Sequence, residues 1–164
     1  MVDPTPNDYA NSAEFKRIAH WSEFGQRGEP PTERVTNSEW KQTHPFEKPV
    51  TSKWNQPIPR AMLPKLLNGF QPSAMEDKWF VYADGPDAEG NAVLHMHRSW
   101  TGFKIVEAKF VIQLDEDGGL KEEDACFTEI VWESDSERIR GHTDEKAKET
   151  VKGVCNWCMG VQLP

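Results

Sequence analysis

The chain has 164 residues, enough for one domain with a real core and no need of disulfide or metal staples. Hydrophobic residues make up 37% and charged residues 28%, and mean hydropathy is low at -0.73, so a polar or extended portion is expected beside the core. Net charge is -8, with 9 Lys+Arg against 8 Asp+Glu in residues 1–75 and 10 against 19 in residues 76–164; that acidic balance speaks against nucleic acid and anionic membrane surfaces as partners.

No stretch approaches the run of ~20 apolar residues that a membrane-spanning helix needs. The opening Met1-Val2-Asp3-Pro4-Thr5-Pro6 has neither a basic segment nor an apolar core and does not read as a signal peptide. Three cysteines form no disulfide framework, which points to a reducing compartment, cytosolic or nuclear, and the expected location is cytoplasmic.

Ten of the twelve prolines precede residue 76, so residues 1–75 read as a Pro/Trp-rich arm packed on a core formed by residues 76–164, the two making one structural domain. Asn11-Ser12 can cap a helix running to about Phe24, with Phe15, Ile18, Ala19 and Ser22 on one face. Residues 29–60 read as extended chain. Trp40, Phe46, Val50 and Trp54 punctuate it, and disordered tails are poor in such rings, so the arm is expected to lay them on the core. A second short helix is predicted near residues 60–68, ended by Asn68-Gly69.

From Lys78 the pattern becomes strand-like: Trp79-Phe80-Val81-Tyr82-Ala83, then residues 92–100, 103–113 and 125–133, with turn-rich or acidic loops between. Thr143 and Asp144 open a last helix, whose Ala147, Val151, Val154, Cys155 and Cys158 make an apolar stripe. The expected fold is α+β, a four-stranded antiparallel meander packed against helices.

The densest chemistry lies in His95-Met96-His97-Arg98-Ser99-Trp100-Thr101-Gly102. With a two-residue turn at Thr101-Gly102, alternation puts His95, His97 and Ser99 on one face, and Arg98, Trp100 and Glu107 on the other. Arg98 then comes within diagonal reach of Glu107. Which face is buried stays open. As a pocket floor, the strand offers His97 for proton transfer, Arg98 to hold an anion and Ser99 as a hydrogen-bond partner. Trp79, Tyr82 and Trp100 can form an aromatic wall, with His95 and Glu107 beside it. As plain structure, the same residues make a solvated sheet surface with an Arg98–Glu107 cross-strand pair.

Other motifs are weaker. His95-x-His97 has strand-borne ligand spacing but lacks a third ligand, so no metal is assigned. Cys155-Asn156-Trp157-Cys158 falls at the end of a helix, where the dipole opposes a thiolate, so both sulfurs read as core thiols. Asp115-Glu116-Asp117-Gly118-Gly119 fails the EF-hand pattern. No nucleotide, hydrolase or metalloprotease signature occurs, and no cofactor is assigned.

Lys78-Trp79-Phe80-Val81-Tyr82 followed by His97-Arg98-Ser99-Trp100-Thr101-Gly102 resembles a group of short, poorly characterised soluble domains that share a KWF strand and an HRSWTG strand-turn. The resemblance covers residues 76–133. It implies that the two strands pair, and it carries no activity. The functional expectation is a small-molecule-binding domain doing cofactor-independent acid–base chemistry of the cyclase, isomerase or lyase type. The alternative is a protein-interaction module that uses the aromatic arm and the acidic sheet surface. A homodimer is compatible with either.

Overall fold

A computed structural model describes residue 24, residue 31, residues 33–36 and residues 43–164. The helix expected over residues 11–24 lies outside these, apart from Phe24, which is helical and buried. Trp40 also lies outside them.

Among the described residues the sheet has five strands rather than the four expected: β1 (Pro49–Ile58), β2 (Trp79–Asp84), β3 (Asn91–Arg98), β4 (Lys104–Val111) and β5 (Ala125–Glu133). Their spatial order is β1-β5-β4-β3-β2, and every pairing is antiparallel. The meander is therefore as expected, and the added strand comes from the arm. Its prolines argued for unpaired extended chain, but an edge strand needs ladder bonds on only one side and tolerates Pro49 and Pro57. Ser52, Trp54, Gln56 and Ile58 turn inward along β1, and Trp54 stacks on Phe127 with centroids 4.9 Å apart.

A short 3-10 turn (Arg60–Met62) leads into α1 (Leu63–Asn68), close to the predicted helix. Gly69 follows at φ 75, and a Cβ there would lie 2.3 Å from the Val81 carbonyl oxygen, so the approach to the β2 edge requires glycine. The long helix α2 (Asp144–Met159) starts where the sequence placed it, with Thr143 accepting the Lys146 N–H. All five residues of its predicted stripe are buried.

Both helices cover one face of the sheet, called inner here. Val81, Leu94, Met96, Ala108, Phe110 and Phe127 form one core with Leu63, Leu66, Val151 and Val154. On the outer face Phe80 and Tyr82 form a smaller cluster with Val35. The arm is tied to the β2 edge there. Arg34 Nη2 donates to the Ala83 and Gly85 carbonyls at 2.7 and 2.6 Å, and Val35 N–H donates to Asn68 O at 2.8 Å. Further along, Glu133 is wholly buried and accepts the N–H groups of Glu47 and Lys48, which fixes the entry to β1.

The β3–β4 hairpin differs from the two-residue turn placed at Thr101-Gly102. Four residues, Ser99 to Gly102, connect Arg98 and Phe103, and Arg98 N–H donates to Phe103 O at 3.0 Å. Both favoured two-residue hairpin turns need positive φ at the first central position, which suits Thr101 poorly; in this connection only Gly102 takes it, at φ 72. Ile105 is then extra: Met96 faces Val106 while His97 faces Lys104. This bulge shifts the register, so Glu107 faces His95 and not Met96.

Candidate functional site

The outer face is built from pairs along β3 and β4. His97 faces Lys104, His95 faces Glu107, and Val93 faces Lys109. From the other side β2 contributes Phe80 opposite His97, Tyr82 opposite His95 and Asp84 opposite Val93.

His95 joins this face together. Its Nε2 lies 2.9 Å from Asp84 Oδ2, and its Nδ1 lies 3.3 Å from Glu107 Oε1, an ion-pair distance that falls short of a directed hydrogen bond. Its side chain is nine-tenths buried. Lys104 Nζ meets the same Glu107 oxygen. The His95 and Lys104 contacts hold the Glu107 carboxyl down at about 2, against the effect of burial. The Tyr82 ring stacks on His95 at 4.5 Å and lies parallel to His97 at 5.9 Å. Burial, and then the charges of Asp84 and Glu107, raise its phenol to about 12, so it stays protonated.

His97 is 3% exposed, and its Nδ1 lies 3.1 Å from the Gly102 carbonyl oxygen, which fixes Nδ1 as the donor. Burial lowers its pKa to about 4. The ring is neutral at pH 7, and Nε2 is left as a buried acceptor with no hydrogen-bond partner among the described residues. It can receive a hydrogen bond or a proton, but it has no proton to give as an imidazolium acid.

The same face continues into an open groove of about 450 Å³ beyond His95. Asp84, Pro86, Asn91, Val93, Lys109 and Thr128 are among its lining residues. Asp84 belongs to both places. One oxygen faces His95, while its side chain stays 68% exposed at the groove. Asp87, also on the lining, spends its carboxylate on its own turn, accepting the N–H groups of Glu89 and Asn91. Lys109 is paired with Glu129 at 2.7 Å.

No family model matches the chain, no curated protein matches it, and no solved structure matches it.

The site's geometry separates the sequence-derived residues. His95, His97, Tyr82 and Glu107 come together on the outer face. Arg98 and Trp79 sit on the inner side, with the guanidinium 5.0 Å from the Trp79 ring centre. The expected Arg98–Glu107 pair is thus corrected, because the bulge puts those residues on opposite faces. Ser99 is buried and donates to Asp77 O at 2.6 Å. Trp100 is 65% exposed at the hairpin tip, donating its indole N–H to Met75 O. Consecutive residues His97, Arg98 and Ser99 therefore point three ways and do not converge.

Asp84 lies outside the sequence-derived set. Its signal was available: it follows Tyr82 by two, so it shares the face of Tyr82 once β2 extends one residue past Ala83. Among the described residues no group of three or more His, Cys, Asp and Glu side chains is arranged to hold a metal ion. Asp84 and Glu107 approach His95 from opposite nitrogens, so the three ligand types do not focus on one point. Cys155 and Cys158 are both buried on α2, and burial raises both thiols.

Proposed function

We propose that this chain is a small-molecule-binding domain whose ligand lies in the outer-face groove beside Asp84, and that it performs cofactor-independent acid–base chemistry of the isomerase, lyase or cyclase type. One observation carries the reading: Asp84 is shared between a groove of ligand size and a buried His95–Glu107–Lys104 network. Ligand pockets commonly run from about 300 to 1,000 Å³, with a few placed polar groups on an apolar lining.

In this reading Asp84 touches the substrate and moves the proton. His95 is a positioning residue that fixes the carboxylate, and Glu107 and Lys104 fix His95 from behind. Tyr82 clamps the His95 ring by stacking. His97, neutral and one residue pair further on, serves as a hydrogen-bond acceptor rather than the general acid its ordinary pKa suggested.

The test is native mass spectrometry of gently purified protein, followed by a fragment screen by ligand-observed NMR. Val93→Trp fills the groove. The expected result is a bound small molecule, or fragment hits, in wild type and none in Val93→Trp. Hits that persist unchanged in Val93→Trp, or no hits in either, overturn the reading.

A second reading, a protein-interaction module, draws on a different observation. Trp100 and Met75 are 65% and 73% exposed and touch through the indole hydrogen bond, with Lys78 Nζ 4.0 Å from the Trp100 ring centre. Exposed tryptophans are frequent anchors of interfaces. Sedimentation of wild type against Trp100→Ala tests whether the partner is a second copy of the chain.

A further inference from the structure

We infer that the outer-face groove selects a small cationic ligand, an amine or guanidine on a compact apolar body, with the Asp84 carboxylate as its counter-charge. The inference rests on the small-molecule reading above and names the ligand class of that same site.

Most of the charges at the groove are already used. Asp87 is consumed by backbone N–H groups of its own turn. The Lys109 ammonium is held by Glu129 at 2.7 Å, so it is not a free anchor for an anion. Among the described residues Asp84 is engaged through Oδ2 alone, by a His95 ring that is itself nine-tenths buried and backed by Glu107. Its other oxygen is the acceptor left for a ligand.

The surrounding field agrees. Asp84, Asp87, Glu107 and Glu129 stand against Lys104, Lys109 and Arg34, whose guanidinium lies on the Ala83 and Gly85 carbonyls beside the groove, so the carboxylates outnumber the Lys and Arg groups four to three. Residues 76–164 carry the chain's excess of acid, 19 Asp+Glu against 10 Lys+Arg. An anionic ligand would enter against that field and find the Lys109 ammonium held by Glu129 and the Arg34 guanidinium held by two backbone carbonyls, whereas a cation enters with it. Pro86, Val93 and Val111 supply the apolar wall for the ligand's body. An ammonium hydrogen-bonded to a carboxylate is among the stronger polar contacts available to a small site.

The test uses the full chain and three probes of matched shape: phenethylamine, 3-phenylpropionate and 2-phenylethanol. Amide shifts are followed in ¹H–¹⁵N spectra. The expected result is saturable shifts at Gly85, Asn91, Val93 and Thr128 with phenethylamine, weaker with the alcohol and weakest with the carboxylate. Asp84→Asn should lower phenethylamine affinity about tenfold and abolish most of its salt dependence. Unmoved amides of Val151 and Val154 show that this variant is folded. If it does not fold, the rank order of the three probes on wild type decides.

Binding of 3-phenylpropionate at the groove as tightly as phenethylamine, or an unchanged affinity in Asp84→Asn, overturns the cation assignment and leaves the small-molecule reading standing. No groove shift with any of the three overturns both.

Discussion

Asp84 reaches diagonally across the β2–β3 ladder to His95, Oδ2 to Nε2 at 2.9 Å, and His95 in turn lies 3.3 Å from Glu107. The two carboxylates differ in burial, 68% side-chain exposure for Asp84 against 22% for Glu107. Equivalent substitutions should therefore have unequal costs. Asp84→Asn should change unfolding free energy by less than about 1 kcal/mol, because the carboxylate it alters is itself mostly solvated. Glu107→Gln should cost about 2 kcal/mol, because it leaves the Lys104 ammonium, 12% exposed, without its carboxylate. Urea unfolding of both variants checks the contrast.

Stability should fall with acid in two successive windows. The folded His97 pKa of about 4 lies below its ordinary 6.5, so between those values the unfolded chain binds more protons than the folded one. Its contribution is complete above pH 6.5 and is lost as pH falls toward 4, up to about 3 kcal/mol. Glu107 is lowered to about 2 from 4.5, and its contribution is complete above pH 4.5 and lost toward pH 2. In His97→Gln the melting temperature should become flatter between pH 6.5 and 4, while the fall below pH 4.5 remains. Calorimetry across pH measures both.

Gly153 sits in α2 against the Phe24 ring, and a Cβ there would come within 2.3 Å of it. Glycine in a helix interior normally gains about 0.5–1 kcal/mol on replacement by alanine. Here Gly153→Ala should instead lose about 1–3 kcal/mol through overpacking. In a Phe24→Ala background the sign should reverse. A double-mutant cycle by thermal unfolding reads the coupling directly.

The cysteines should react in a fixed order. Cys155 and Cys158 are buried, and their thiols are held in the unreactive protonated form, Cys158 up to about 12. Cys126 is partly exposed. Iodoacetamide at pH 8 under native conditions should label one site, Cys126, and three in denaturant, as peptide mass spectrometry resolves.

Trp100→Ala should leave the melting temperature within a few degrees, because the ring is mostly solvated and its one hydrogen bond is to an exposed carbonyl. Trp79→Ala, at 1% exposure, should cost about 3–5 kcal/mol. Differential scanning fluorimetry separates these two tryptophans of the one motif.

Periodicity carried the meander and α2, since Trp79, Val81, Leu94 and Met96, and the stripe from Ala147 to Cys158, are dictated by burial on one face. It did not carry β1. Pro49 and Pro57 look like breakers until a single-sided edge is available, and the partner that supplies the edge, β5, is remote in the chain. Nor did it carry the face assignments of the hairpin. Alternation works only from a known turn, and one extra residue at Ile105 moved Glu107 from the side of Arg98 to the side of His95. His95, His97 and Tyr82 were visible as residue types; what they touch depended on a register that local sequence does not encode.

The β1–β5 ladder sets an order of assembly. β1 is made before the rest of the sheet, yet the strand it binds emerges only after β2, β3 and β4. The hairpins can zip locally as they appear, whereas β1 must wait for a loop spanning the whole meander to close. Until then the β5 edge and the Phe127 ring that Trp54 will cover lie open. The last ladder to form is the one that seals the sheet's far edge, so truncation within Pro49–Ile58 would expose β5 as a template for pairing with other chains.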